Sequence, residues 1–323
     1  VNEAAMARLL KFSYRQAEHH NKLSARFADV LELVAEASFY AKQDGQTVID
    51  AHHIDEAIVG KQYRTGQISE TMLSDIKEGQ ILIATEGHAV GKVNGLTVLH
   101  IGDTSFGTPA RITATVYAGA DGVIDVEREA ELGKAIHSKG VMLLTGYLGN
   151  KYAQQFSLTL SANIAIEQSY GYIDGDSASL AELCALISAI TNLPISQSIA
   201  LTGSINQHGD VQSIGGVNEK IEGFFKLCKM RGLTGEQGVI IPKSNQVNLV
   251  LDDEVLDAVE KGRFNIYAVE TVDQALSLLM DKDAGEMTAE GYPEGSINAL
   301  ALARLANIAD IVNGDNDDEK DAE

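Results

Sequence analysis

A serine stands where a glycine-bearing loop is predicted to turn into a helix. Residues 172–179 read YIDGDSAS, and apolar residues then recur at helical spacing from Leu180 to Ile190. Free N–H groups and the positive end of the dipole at a helix N-terminus can stabilise an oxyanion, so Ser177 is a candidate nucleophile. Asp and Ser before an apolar helix are also ordinary N-caps, and this segment alone leaves both interpretations open.

Two better-known serine motifs do not fit this segment. The nucleophile elbow, Gly-x-Ser-x-Gly, requires a glycine where Ser179 stands. A trypsin-like site also begins with Gly-Asp-Ser, but it needs a further glycine where Ala178 stands, a partner His and Asp, and usually disulfides. The chain has only 2 cysteines, Cys184 and Cys228, and both lie in apolar helical patterns.

A candidate general base, Lys220, stands in the first turn of a second predicted helix. This helix is expected to run over about residues 218–231, with Gly232 as its C-cap. The lysine shares the apolar face of Ile221 and Phe224, so burial and the helix dipole both disfavour its charge and lower its pKa. A neutral lysine could accept the proton of a serine. The alternative is a surface lysine whose ammonium reaches solvent.

Taken together, three stretches resemble the proteolytic domain of the Lon proteases, most closely the B-type branch of archaea and of Lon-like proteins in bacteria. They are residues 174–179 (DGDSAS), residues 202–204 (TGS) with 214–220 (IGGVNEK), and residues 240–242 (IIP). Ser177 and Lys220 are 43 positions apart, in register with the family. The A-type branch has Pro-Lys-Asp-Gly-Pro-Ser, from which Asp176 departs. The resemblance covers roughly residues 80–280.

The resemblance implies a role for each matching residue. Ser177 would be the nucleophile, Lys220 its base, and Thr202 a residue that hydrogen-bonds the lysine. Asp174 matches an acidic position that can pair with the lysine in some members, and Asp176 is a further supporting residue. On this reading the chain is a serine endopeptidase that cleaves unfolded or damaged polypeptides. Substrate would be fed by an AAA+ ATPase ring, in a homohexamer.

The N-terminal helices resemble the lid subdomain of an AAA+ ATPase. Residues 23–26 (LSAR) precede a long predicted helix, so Arg26 matches the nucleotide-sensing arginine of that class. No Gly-x-x-x-x-Gly-Lys-Ser/Thr loop occurs, and residues 247–254 (VNLVLDDE) are predicted to begin a helix rather than form a Walker B strand. No cofactor is therefore expected in this chain, and ATP and Mg²⁺ are expected only with a separate ATPase core. Because the chain begins without methionine, we expect it to be a piece of a longer one.

The predicted fold class is α/β (α+β), a Lon-type proteolytic domain preceded by a small helical lid-like subdomain. We expect a helical subdomain at 1–62, a linker at 63–80, the proteolytic domain at 81–280 and a C-terminal extension at 281–323. Strands are predicted at 93–101, 110–117, 141–144, 198–202 and 210–214, the last two joined by a turn near 206–209. Helices are predicted at 127–138, ending at Gly140, and at 297–312. Asp50 is predicted to cap a short helix. The acidic last nine residues are predicted to be a disordered tail.

Composition narrows the range of partners. The net charge of −21 argues against nucleic acid or an anionic membrane as the main partner. No apolar run approaches the roughly 20 residues that span a bilayer. The low cysteine content favours a reducing, cytoplasmic location. The adjacent pairs His19-His20 and His52-His53 are expected to point to different helix faces, so no metal site is predicted.

Two other functions remain open at this point. One is a catalytically silent Lon-like assembly or regulatory module. The presence of Ser177, Lys220 and Thr202 argues against it, because a pseudoenzyme usually loses one such residue. The other is a self-processing or DNA-associated factor, which the acidic charge and the lack of a basic patch disfavour.

Overall fold

The structure of the protein, a computed structural model, describes residues 1–102 and 104–320. The helices are α1 (Glu3–Gln16), α2 (Phe27–Gln43), α3 (Ala51–Thr65), α4 (Gln67–Lys77), α5 (Val126–Glu129), α6 (Ala135–Tyr152), α7 (Ser179–Thr191), α8 (Val217–Arg231), α9 (Asp253–Glu260), α10 (Val272–Met280) and α11 (Ile297–Lys320). The strands are β1 (His88–Ala89), β2 (Lys92–Ile101), β3 (Thr104–Tyr117), β4 (Gly122–Asp125), β5 (Ser161–Ile166), β6 (Ile195–Ser196), β7 (Ile199–Leu201), β8 (Ser204–Ile205), β9 (Val211–Gln212), β10 (Gly238–Pro242) and β11 (Asn265–Val269). A 3₁₀ helix covers Lys243–Asn248.

One mixed sheet organises the larger part of the chain. Among the described residues, seven strands form this sheet in the order β11-β10-β7-β2-β3-β5-β4. Strands β2 and β3 form a long antiparallel hairpin, whereas β7, β10 and β11 run parallel to one another. The predicted α/β fold class, a mixed sheet preceded by a helical region, is confirmed.

Two apolar cores lie on opposite faces of the sheet. In β7, Ile199 and Leu201 belong to the core that contains α7, whereas Ala200 between them belongs to the core that contains α8. In β10, Ile240 faces the first core and its neighbour Val239 the second. Because side chains alternate along a strand, α7 and α8 pack on opposite faces. Residues near the starts of these two helices can therefore meet only at an edge of the sheet or in the loops that leave it.

Two glycines let α8 approach the hairpin closely. A Cβ added to Gly107 in β3 would lie 1.9 Å from the carbonyl oxygen of Glu219, and one added to Gly223 would lie 2.1 Å from the carbonyl oxygen of Gly107. Any side chain at either position would push α8 away from the sheet. Such a glycine inside a strand marks a close backbone approach. The position of the first turn of α8, which carries Lys220, depends on this close approach of the helix to the hairpin.

The helical region has its own small core. The first three helices pack around Leu9, Leu33, Ala37 and Ile54, and Asp50 caps α3 as predicted. The predicted linker, residues 63–80, is mostly helical.

Helix α4 occupies most of this segment, and its buried Ile76 packs with Ile83 and with Leu227 of α8. The segment is amphipathic, and this contact with α8 outweighs its turn-forming residues.

Four other predictions of secondary structure were wrong. Residues 141–144 are part of α6 rather than a strand, because a short apolar run cannot by itself distinguish a buried strand from a buried helix. Gly140 does not end a helix. It lies inside α6, where an added Cβ would come within 3.3 Å of Asp176 Cβ. The segment after Val247 is 3₁₀ and extended before α9 begins at Asp253. Strand β9 pairs with β8 rather than with β7.

The C-terminal extension contains the predicted helix. Helix α11 begins at Ile297 and packs on the α7 core through Ile297, Ala301, Leu305 and Ile308. It continues to Lys320, so it covers most of the acidic run that we predicted to be disordered. The remaining residues of that run, 321–323, lie outside the described residues.

Candidate active site

Ser177 lies in the loop that leads into α7. Gly175 has a φ of +93°, a conformation that residues with a side chain rarely adopt, and it turns the chain just before the serine. The carbonyl oxygen of Ser177 accepts from the N–H of Gly203 (3.0 Å), and the carbonyl oxygen of Gly203 accepts from the N–H of Leu180 (3.1 Å). These bonds hold the loop against the end of β7. The side chain of Ser177 is partly exposed, as a nucleophile must be.

Lys220 lies in the first turn of α8. The left-handed Gly216 (φ +67°) turns the chain into this helix, and its carbonyl oxygen accepts from the N–H of Lys220. Only 3% of the lysine is exposed. Desolvation by this burial lowers the pKa of Lys220 to about 8, although the negative charges of Asp176 and Glu219 raise it. About a tenth of the amine is therefore neutral at pH 7, and about half at pH 8.

The serine and the lysine meet through Thr202, which follows the last residue of β7. Lys220 Nζ lies 2.9 Å from Ser177 Oγ and 3.1 Å from Thr202 Oγ1. The hydroxyl of Thr202 donates to the carbonyl oxygen of Ser177 (3.2 Å), so its oxygen is left to accept an N–H of the lysine. With one N–H fixed in this way, the lone pair of a neutral Lys220 can accept the hydroxyl proton of Ser177.

The start of α7 offers donors for a negatively charged oxygen. Within the described residues, the backbone N–H groups of Ser177 and Ala178 have no hydrogen-bond acceptor. Both lie just before the first residue of α7, where the helix dipole favours negative charge. This arrangement can stabilise the oxyanion that forms when a serine attacks a carbonyl carbon.

The two aspartates of the loop differ in their contacts. Asp174 accepts from the N–H of Gly175 (2.9 Å) and lies 3.9 Å from Lys134 Nζ. Among the described residues, no ion pair joins Asp174 to Lys220. The pairing of this aspartate with the lysine, which the family resemblance implied for some members, is thus not found among these residues. Asp176 is instead the aspartate of this loop whose charge acts on Lys220. Its Cβ is close to Gly140 of α6, which fixes the loop from the other side.

The other candidate residues lie in the helical region. Arg26 is the exposed N-cap of α2, and no hydrogen bond or ion pair in the described part of the chain links it to the dyad. The rings of His52 and His53 lie 3.7 Å apart, so the expectation that they face apart was wrong. His53 Nδ1 accepts from the N–H of Asp50 and completes a capping box, which accounts for its position.

Sequence reasoning missed the residues that hold the dyad together. Gly203 bonds the backbone of both Ser177 and Leu180, and Ser179 Oγ accepts from the N–H of Ile205 (3.2 Å). The signal for Gly107 was available, since an isolated glycine in a strand pattern indicates close backbone approach. It was overlooked because the predicted strand began only at residue 110.

Comparison with known proteins adds two family matches. The model of the C-terminal proteolytic domain of the Lon proteases (S16) matches residues 48–282, and that of the archaeal LonB AAA+ ATPase LID domain matches residues 1–64. The predicted boundaries at 62, 80 and 280 stay predictions. Within the described ranges, no helix combines the length and apolar character that a bilayer crossing requires.

Several curated proteins are similar over much of this chain. A "Putative Lon protease homolog" of Escherichia coli (strain K12) is 45% identical over 240 residues, which are 74% of this chain and 41% of that protein. A protein of the same name from Haemophilus influenzae is 43% identical over 310 residues, 95% of this chain and 51% of that protein. An "Archaeal Lon protease" of Archaeoglobus fulgidus is 30% identical over 280 residues, 86% and 42% of the two chains. The chain thus spans about half the length of these relatives or less.

Proposed function

Because the chain belongs to the Lon protease family (S16), we propose that it is a serine endopeptidase with Ser177 as nucleophile and Lys220 as general base. Membership of this family supports a peptidase, and the dyad is our assignment from the geometry. One observation carries it: a partly exposed serine oxygen lies 2.9 Å from the amine of a buried lysine whose pKa is lowered to about 8.

The reaction follows from the contacts of the dyad. Neutral Lys220 takes the hydroxyl proton while Ser177 Oγ bonds to the scissile carbonyl carbon. The oxyanion is stabilised by the N–H groups at the start of α7, including that of Ala178. Lys220 then gives its proton to the leaving amine as the C–N bond breaks, which leaves an ester on Ser177. Water, deprotonated by the same lysine, hydrolyses the ester and restores the serine.

The supporting residues act through Lys220. Thr202 accepts one N–H of the amine and so orients its lone pair towards Ser177. Asp176 raises the pKa of the lysine and stabilises the ammonium that forms after proton transfer. We assign no comparable effect to Asp174, whose carboxylate faces Lys134 and the N–H of Gly175.

The substrates and partners belong to the same proposal. We expect unfolded or damaged polypeptides as substrates, delivered by an AAA+ ATPase in a homohexamer. The match of residues 1–64 to an AAA+ LID domain supports this, as does the greater length of the curated relatives. ATP and Mg²⁺ would be held by that ATPase core, with Arg26 sensing the nucleotide. Both cysteines are buried free thiols, which favours a reducing, cytoplasmic location. Nucleic acid is not an expected partner at a net charge of −21.

Hydrolysis of casein and of a fluorogenic peptide tests this function. The wild type, Ser177→Ala and Lys220→Ala are compared in this chain and in the longer protein with ATP. Ser157→Ala is the control, because that serine is exposed and lies outside the site. We expect hydrolysis by the wild type and the control, and losses of at least about 1,000-fold in the two dyad variants. Hydrolysis by either dyad variant at the wild-type rate would refute the dyad. An inactive longer wild-type protein with ATP would support a catalytically silent module.

A further inference from the structure

A buried cluster of ionisable side chains lies behind the nucleophile helix. Asp125 ends β4, Glu127 belongs to α5, His137 to α6 and Glu182 to α7. Each is at most 4% exposed. None of the four contributes to the reaction described above. Buried charged side chains are rare unless they are paired or hold a metal, so this cluster requires an explanation.

The contacts within the cluster leave several oxygens without a partner. Asp125 Oδ1 accepts from the N–H of Glu127 (3.1 Å) and lies 3.4 Å from His137 Nε2. Glu127 Oε1 accepts from the N–H of Ile166 (2.8 Å). Among the described residues, Asp125 Oδ2, Glu127 Oε2 and Glu182 Oε1 are buried and have no hydrogen-bond partner. Three unpartnered carboxylate oxygens at one place are costly in a protein interior.

The charges of the cluster do not balance. Three carboxylates face a single imidazole, and in the described part of the chain no lysine or arginine forms an ion pair with any of them. Even with His137 protonated, the ionised cluster would carry a net charge of about −2 in the interior. A divalent cation is the group whose charge and oxygen preference match this deficit.

We propose that Asp125, Glu127 and His137 bind one first-row divalent cation, Zn²⁺ or Mn²⁺. One ligand atom from each lies within 4.8 Å of the others. Ligands at about 2.1 Å from a shared ion are about 3 to 4 Å apart, so a small inward movement completes the site. An imidazole beside carboxylates favours these metals over Ca²⁺ and Mg²⁺. This proposal departs from the expectation of no metal, which considered only the adjacent histidine pairs.

Glu182 takes a different part in the site. Its Oε1 lies 3.8 Å from His137 Nδ1, whereas the opposite ring nitrogen faces Asp125. This distance is longer than a hydrogen bond, so the carboxylate acts on the ring through its charge. A carboxylate beside one imidazole nitrogen while the other binds a metal is a recurrent arrangement, and a small closing movement would let it fix the tautomer and the ring. Glu182 is therefore a positioning residue for His137 rather than a ligand.

The site would join the elements around the nucleophile loop. Glu182 is one turn beyond Ser179 on α7, and His137 is one turn before Gly140, where an added Cβ would lie 3.3 Å from Asp176 Cβ. The backbone N–H of Lys134, just before α6, donates to the carbonyl oxygen of Ile173. A bound cation would thus hold α5, α6 and α7 together under the loop that carries Ser177, at a place separate from the dyad.

Metal analysis of the purified chain tests this proposal without any assay of peptide hydrolysis. The protein is stripped with EDTA, dialysed, and titrated separately with Zn²⁺, Mn²⁺ and Mg²⁺ by calorimetry, and its melting temperature is recorded with each metal. Cobalt(II) is added as a spectroscopic probe of imidazole ligation. The variants are His137→Gln and Glu182→Gln. His52→Gln is the matched control, since it removes an exposed ligand from a second group, Asp44, His52 and His53, of which only His53 is buried.

We expect one Zn²⁺ or Mn²⁺ per chain and a melting temperature that rises by several degrees on binding. His137→Gln should lose this binding and the cobalt(II) absorption, Glu182→Gln should bind about 10- to 100-fold more weakly, and His52→Gln should behave like the wild type. The proposal is overturned if the stripped wild type binds no Zn²⁺ or Mn²⁺. It is also overturned if His52→Gln abolishes the binding, which would place the ion on that second group. The titration of the stripped wild type needs no variant, so it remains decisive even if a variant fails to fold.

Discussion

Replacing Lys220 by methionine should make the folded protein more stable while removing its activity. Methionine has nearly the length of lysine and no charge to desolvate, so it can occupy the same space. Burial lowers the pKa of Lys220 from 10.5 to about 8. This difference corresponds to about 3 kcal/mol of unfavourable free energy for keeping the lysine protonated in the folded state. The lost hydrogen bonds to Ser177 and Thr202 offset about 1 kcal/mol of the gain.

The size of this effect depends on pH. Below about pH 8 both the folded and the unfolded chain hold the proton, so the folded state carries the whole cost. Between pH 8 and 10.5 the folded chain has released the proton while the unfolded chain still binds it, and the cost declines as pH rises. We therefore expect Lys220→Met to be more stable by about 2 kcal/mol at pH 7 and by close to zero at pH 9.5.

Urea denaturation followed by circular dichroism at both pH values measures this difference. Lys226→Met is the matched control, because Lys226 lies on the same helix and is exposed, and it should change stability by less than about 0.5 kcal/mol. A Lys220→Met variant less stable than the wild type at pH 7 would refute the reasoning. Such a result would mean that burying the protonated Lys220 does not destabilise the folded state.

Three further outcomes follow from the same contacts. Asp176→Asn should shift the pH profile of kcat/KM to lower pH, because the carboxylate raises the pKa of Lys220, whereas Asp174→Asn should leave the profile in place. Thr202→Val should lower kcat/KM by about tenfold through loss of the bond that orients the amine. Thr191→Val should not, because it loses only local bonds at the end of α7, with the carbonyl oxygen of Ile187 and the N–H of Leu193. Gly107→Ala should lower the free energy of unfolding by about 1 to 3 kcal/mol, because the added methyl group meets the backbone of α8. Urea denaturation measures this change, and an unchanged midpoint would contradict the prediction.

Local sequence patterns were sufficient for several elements, including the helix that carries Lys220. The strand β2, the second half of β3 and the helix α8 were predicted because alternation and helical spacing are strong there, and Gly232 ends α8 as expected. The lowered pKa of Lys220 was also inferred from its position on an apolar face, and burial is the cause that the structure identifies. These features depend on residues close together in the chain.

Other features depend on contacts between distant segments, and the sequence could not show them. Helix α4, which lies within the predicted linker, was not expected because its stability comes from packing on α8. Gly140 was read as a helix end, but its lack of a side chain lets α6 approach Asp176. The cluster around His137 joins residues from β4, α5, α6 and α7, and no spacing in the sequence indicated that they meet.

The most direct test of a lysine-activated serine is the pH dependence with which Ser177 reacts with an uncharged fluorophosphonate. In this reaction Ser177 Oγ bonds to phosphorus, fluoride leaves and Lys220 takes the proton, so neither an ATPase nor a polypeptide is needed. Mass spectrometry of tryptic peptides identifies the labelled residue and gives its rate. The rate should rise with an apparent pKa near 8, level off above about pH 9, and be at least about 100-fold lower in Lys220→Met. A rate that still rises beyond pH 10, or one that Lys220→Met leaves unchanged, would contradict the assignment of Lys220 as the base.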